Sequence, residues 1–202
     1  MARNHLNNNS GWYSRASLVP LSYKCGYCSN LISSNIGYRM GYHNDGSGDQ
    51  VAGIYICSHC SAPTYVDTAG RRHPDVAFGN DVSYLPKEVG ELYSEARICT
   101  SAGAYTAAVL LTRKLLMHIA VEQGANTGDS FLKYVEYLSG KGFVPPNGKH
   151  WVDHIRKKGN VANHEITIMT RDEARDLLGF TEMLLKFIFE FPMLVPKPNP
   201  DS

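Results

Sequence analysis

Two short cysteine knuckles, Cys25-Gly26-Tyr27-Cys28 and Cys57-Ser58-His59-Cys60, constrain this chain more than any other feature. A two-residue gap lets both thiolates of a knuckle reach one ion. Two knuckles on adjacent hairpins then complete a tetrahedral sulfur shell of the kind that suits zinc. The 28 residues between the knuckles exceed the about 15–20 of the simplest pattern, and a Gly-rich hairpin accounts for the excess. A redox-active pair, or a ligand set in which His59 replaces a cysteine, are the alternatives. Two pairs in a β-like setting favour a metal, so one structural zinc on Cys25, Cys28, Cys57 and Cys60 is expected. Such a closed shell leaves no position for substrate. The polar start, Met1-Ala2-Arg3-Asn4-His5-Leu6, lacks the apolar core of an export signal. A reducing cytoplasm, where disulfides are rare, is therefore the expected compartment. Cys99 falls in a predicted helix and reads as a buried, inert thiol.

The remaining sequence divides around these knuckles. Residues 1–11 are Asn-rich and read as disordered, while residues 12–84 are rich in Gly, Tyr, Ser and Asn. Short β-like runs cover 36–42, 51–56 and 64–66. The stretch from His43 to Asp49 between the first two is a turn by composition, because Gly and Asn tolerate positive φ and Asp and Ser bond their own backbone. A Gly-rich segment of only about 70 residues buries little apolar surface, so a metal staple has a physical purpose. The texture changes at Leu85-Pro86, where proline suits a helix start. Helices are predicted over 86–99, 103–123, 130–139 with Asp129 as N-cap, 147–158 and 171–191. Thr170-Arg171-Asp172-Glu173 has the capping-box pattern. Pro192, Pro196, Pro198 and Pro200 break the helix and open a Pro-rich tail over 193–202. The fold class expected is α+β: a small β-rich zinc ribbon over 12–84, then an all-α bundle over 85–192.

Charge and hydropathy exclude several partners. Twenty Lys and Arg face nineteen Asp and Glu, for a net charge of +1, so any nucleic-acid site must be a local patch. No apolar run approaches the roughly 18 residues of a membrane span. The last helix carries two apolar stripes: Ala174, Leu177, Leu178, Thr181, Leu184, Leu185, Ile188 and Phe189, then Phe180, Met183, Phe187 and Phe191. Together they are wider than the face of a surface helix. Either the helix is central to its own bundle, or one stripe faces a second copy; a homodimer through the helical half is the expectation.

The helical half also holds a basic cluster, running from Lys149 to Glu165. Its Gly159-Asn160 pair reads as a helix end followed by a new turn. Asn160 and His164 are four apart and share a face of that turn. Arg156 or Lys158 can reach the same face from the preceding helix. An imidazole beside a cation and an amide can move protons near neutral pH while the cation neutralises phosphate. In the competing reading, Asn160 caps a helix, His164 holds a buried carbonyl and the cations are solvated.

The pattern Leu85-Pro86, Ala104 with Ala107-Ala108-Val109, Arg113 with Leu115-Leu116, Ile155-Arg156, Gly159-Asn160 with Ala162 and His164, and Glu173-Ala174 resembles bacterial domain of unknown function 4145. That helical domain is related to the HEPN superfamily and is met alone, fused to restriction-type endonucleases or behind a zinc ribbon. The resemblance covers residues 84–192. It implies an all-α, usually dimeric HEPN-like bundle, often a metal-independent ribonuclease in host defence or toxin systems. Carried over, His164 is the general acid/base, Asn160 orients, and Arg156 or Lys158 holds the scissile phosphate of RNA. Gly159 stands where the HEPN arginine would be, Arg156 lies farther from His164 than the motif spacing, and Lys158 has the right spacing without the guanidinium fork. The alternative it implies is a non-catalytic adaptor that dimerises or docks a protein partner from a defence system.

Overall fold

The computed structural model describes residues 11–144, 148, 151–153, 155 and 168–194. The chain divides into two compact units, Met1–Ala77 and Phe78–Ser202.

The first unit is built on one antiparallel sheet of five strands, paired in chain order. They are β1 (Ala16–Lys24), β2 (Leu31–Gly41), β3 (Gln50–Ile56), β4 (Pro63–Val66) and β5 (Arg72–His73). The expected runs over 36–42, 51–56 and 64–66 fall in β2, β3 and β4. The 43–49 turn joins β2 to β3, with the Asp45 carboxylate accepting from the Ser47 amide at 2.9 Å. Strand β1, which the sequence does not announce, contains Pro20 and breaks register with β2 between Ser17 and Leu21. Proline cannot donate to a ladder, so it belongs on an edge or at a bulge, and β1 supplies both. The backbone of Val19 in this bulge is satisfied from β3. Its N–H donates to Gln50 Oε1 at 2.9 Å, and its carbonyl accepts from Tyr55 Oη at 2.9 Å. Gly37 allows β2 and β3 to approach closely, since a Cβ there would lie 1.8 Å from the Ile54 carbonyl oxygen. The core gathers Leu18, Tyr23, Ile32, Tyr55 and Ala62 with Cys25, Cys57 and Cys60.

The second unit shows no strand among its described residues. Its helices are α1 (Lys87–Ser101), α2 (Tyr105–Glu122), α3 (Phe131–Gly140) and α4 (Arg171–Leu185), followed by a π-helical turn (Lys186–Glu190) and the short α5 (Phe191–Leu194). Trp151, Val152, Asp153 and Ile155 are also helical. The capping box forms as expected: the Glu173 amide donates to Thr170 Oγ1 at 3.3 Å and the Thr170 amide to Glu173 Oε2 at 2.8 Å. Three expectations need correction. The cap of α3 is Ser130, whose hydroxyl accepts from the Lys133 amide, whereas Asp129 pairs with the Lys133 ammonium at 3.1 Å. Pro86 is the N-cap of α1 rather than its first helical residue. Pro192 lies inside α5 rather than ending the helix. The preceding turn widens, with the Phe191 amide reaching the Lys186 carbonyl five residues back. That extra residue relieves the clash a proline ring makes with the carbonyl four before it.

Helix α4 is central to its unit: Ala174, Leu177, Leu178, Phe180, Thr181, Leu184 and Leu185 are all buried. Phe180 of the second stripe packs edge-on against Trp151, with centroids 5.8 Å apart. The stripe's far end differs, since Phe187 and Phe191 are 40% and 41% exposed and touch each other. Residues 78–83 are tied to these helices. Arg97 donates to the carbonyls of Phe78 and Gly79 at 3.1 Å each and pairs with Asp81. Glu182 accepts from the amide and side chain of Asn80 at 2.9 and 3.0 Å, and Glu190 accepts from the Ser83 amide. No helix among the described residues is long and apolar enough to cross a membrane.

Candidate metal centre

Each cysteine knuckle sits at the tip of a hairpin, the first between β1 and β2 and the second between β3 and β4. The two are built alike. In the first, the Ser29 amide donates to the Cys25 carbonyl and the Cys25 amide to the Asn30 carbonyl, each at 2.9 Å. In the second, Ser61 donates to Cys57 and Cys57 to Ala62, again at 2.9 Å. The serine after each knuckle takes a left-handed backbone, with φ of 59° at Ser29 and 60° at Ser61. The repeat is thus Cys-x-x-Cys-Ser, a short similarity in the sequence. Gly26 lets the first knuckle pass under the chain beyond β5: a Cβ there would lie 2.5 Å from the Pro74 carbonyl oxygen and 2.7 Å from that of Asp75.

Because β2, β3 and their turn bring both tips to one end of the sheet, the four sulfurs converge. The Sγ atoms of Cys25, Cys28, Cys57 and Cys60 all lie within 4.8 Å of one another. Cys25 Sγ to Cys60 Sγ is 3.8 Å, and Cys28 Sγ to Cys57 Sγ is 3.8 Å. All four are free thiols, spaced well beyond the ~2.05 Å of a disulfide. The arrangement can hold one metal ion, and three of the four cysteines are buried. His59 is exposed and contributes only its backbone amide, which donates to Cys57 Sγ at 3.4 Å. The Tyr27 and Cys60 amides donate to Cys25 Sγ and Cys57 Sγ, each at 3.5 Å. Backbone donors of this kind stabilise thiolates and steer their charge into the knuckle.

Electrostatics within the cluster are uneven. Burial pushes the Cys25 and Cys60 thiols up. Burial opposes ionisation of Cys57 as well, yet hydrogen bonds from the Cys60 and His59 amides and from neighbouring thiols hold it below the usual thiol range. Tyr23 lies beside the cluster with its phenol pushed up to about 12, first by burial and then by the nearby cysteines. Four thiols this close cannot all ionise by themselves, because each thiolate raises the cost of the next. A divalent cation removes that cost. Cys99 lies outside the cluster, half-buried against the helical core, with its thiol raised by burial.

The family model described as "Domain of unknown function (DUF4145)" matches residues 94–197. The chain belongs to that family. Neither the search of curated proteins nor that of solved structures found a match. The DUF4145 match begins within α1 and runs through α4 and α5, so the cysteine centre lies ahead of it in the chain. The other predicted site residues of this DUF4145 protein, Arg156, Lys158, Asn160 and His164, lie outside the described residues. Sequence reasoning missed the serines that close each knuckle and the Gly26 contact. The first was legible as a repeated Cys-x-x-Cys-Ser; the second depends on a segment some 50 residues away.

Proposed function

We propose that the four cysteines hold one structural zinc ion and that the protein is a zinc-ribbon, HEPN-like nucleic-acid-binding protein, with RNA as its expected ligand. The spacing of the sulfurs carries the metal part. A tetrahedron with zinc–sulfur arms of about 2.3 Å has edges of about 3.8 Å, which is the separation of both sulfur pairs given above. The donor set fits zinc: four soft thiolates in a closed shell, with no position left for substrate. When bound, zinc would supply folding energy rather than chemistry, on the order of 10–16 kcal/mol in small zinc-dependent folds. Cys25, Cys28, Cys57 and Cys60 would hold it, and the Tyr27, His59 and Cys60 amides would orient the sulfurs. The RNA-directed and defence-related part rests on the resemblance of residues 84–192 to HEPN-type domains. The exposed Phe187–Phe191 pair supports a homodimer through the helical unit.

Binding without cleavage is the better-supported form of this reading, because the chain lacks the HEPN arginine spacing before His164. The test incubates zinc-loaded protein with mixed RNAs, beside a His164→Ala variant, without added divalent ions. Retarded but intact RNA with both proteins is the expected result. Cleavage lost in His164→Ala would establish the catalytic alternative, with His164 transferring protons and Asn160, Arg156 or Lys158 placing the phosphate. Absence of any RNA complex would refute the ligand.

A further inference from the structure

The first unit carries a row of three rings and an isoleucine across its sheet and a groove beside it, and the two meet at Trp12. Tyr38, Ile54, Tyr65 and His73 are partners in successive pairs across β2, β3, β4 and β5. Directly opposed residues on antiparallel strands put their side chains on one face. These side chains reach solvent: Ile54 is 36% and Tyr65 39% exposed, His73 is exposed and Tyr38 half-buried. The rings of Tyr65 and His73 stack, 5.9 Å apart at 29°, and Trp12 meets Tyr38 edge-on at 6.2 Å. With strands about 4.8 Å apart, four of them give a row of roughly 15 Å. At the Trp12 end lies a groove of about 620 Å³, lined among others by Trp12, Tyr13, Arg15, Asn35, Ser58 and Ser61. Arg15 is the one charged side chain in that lining and makes no ion pair among the described residues. The acid nearest the row's other end, Asp67, is already occupied. It accepts from the Ala69 and Arg71 amides and pairs with Arg71 and His73.

Aromatic rings set in a line on an open face stack flat rings, and a guanidinium among amides and hydroxyls takes phosphate and sugar oxygens. Unpaired nucleotides present both chemistries, whereas a duplex keeps its base faces stacked on one another. We propose that this row and groove bind single-stranded nucleic acid, with bases on Tyr38, Tyr65 and His73 and the backbone at Arg15 and Asn35. The proposal rests on the nucleic-acid-binding reading above and names the face that reading leaves open.

Fluorescence anisotropy of the zinc-loaded full chain with labelled oligouridine, labelled oligodeoxythymidine and a duplex competitor tests it. Either single strand should bind, and the duplex should compete poorly. Tyr65→Ala should weaken binding roughly 5- to 150-fold, the effect of losing one stacked base, and Tyr65→Phe should restore it. Arg15→Ala should weaken binding and lower its salt dependence by about one phosphate contact. Both positions are exposed, so zinc content and circular dichroism should match the wild type. Undiminished binding by Tyr65→Ala and Arg15→Ala would overturn this face while leaving nucleic-acid binding in place. No binding of either strand by the zinc-loaded wild type would overturn both.

Discussion

A single methyl group at Gly26 would press on backbone, not on a side chain that could swing away. The carbonyl oxygens of Pro74 and Asp75 lie 2.5 and 2.7 Å from the position of that carbon. Gly26→Ala should therefore lift the segment beyond β5 or deform the first knuckle, costing about 1–3 kcal/mol as overpacked sites do. Thermal melting and zinc retention measured together would show it, and an unchanged melting temperature would mean that the close approach does not matter. Glu182 is the corresponding residue in the helical unit. Burial disfavours its charge, but hydrogen bonds from Lys186 and Asn80 prevail and hold the carboxyl below its usual range. A carboxyl depressed on folding stabilises the fold above its unfolded pKa of about 4.3, and that contribution fades as pH falls through the folded value. Glu182→Gln should cost about 1–3 kcal/mol at neutral pH, as loss of a hydrogen-bonded charge does, and should flatten the acid limb of stability. A parallel loss at all pH values would contradict the role of the charge. Neither residue is legible in sequence. Cys25 and Cys57 advertise their chemistry by spacing, while Gly26 and Glu182 acquire theirs from partners brought in by the fold.

At the scale of elements, the features legible in the sequence are those that short-range neighbours determine. Capping at Thr170, the turn around Asp45 and the apolar stripe of α4 each follow from neighbours within a few residues. Strand β1 was not legible because Pro20 argues against a strand, and its bulge is satisfied only by Gln50 and Tyr55 from β3. Strand β5 has just two residues, too few for a pattern. The two stripes of the last helix were visible, but not that Phe180 would be covered from within the unit while Phe187 and Phe191 stay half in solvent. Met193 and Leu194, each 60% exposed, extend the same end. We expect this end to join two copies of the chain. Combining Phe187→Asp with Phe191→Asp should halve the mass seen by light scattering while preserving helical circular dichroism. A wild type that scatters as a monomer at micromolar concentration would refute the dimer.

For the molecule as a whole, the α+β organisation was legible because four of the five cysteines and the β-like runs fall in one part and the helix signals in the other. The helical unit has a large core of its own, with Leu115, Leu116, Ile119, Leu138, Leu178 and Phe180 almost fully buried. The core of the sheet unit is small and includes three of the four clustered cysteines. Stability should therefore divide unevenly. Chelation or acidification, which protonates the thiolates that a metal needs, should unfold the sheet unit and leave the helical signal standing. The most direct test of the central claim is X-ray absorption at the zinc edge on protein purified without chelators. We expect one zinc per chain surrounded by four sulfurs at about 2.3 Å. A protein without zinc, or a first shell containing nitrogen or oxygen in place of a sulfur, would contradict the four-cysteine centre.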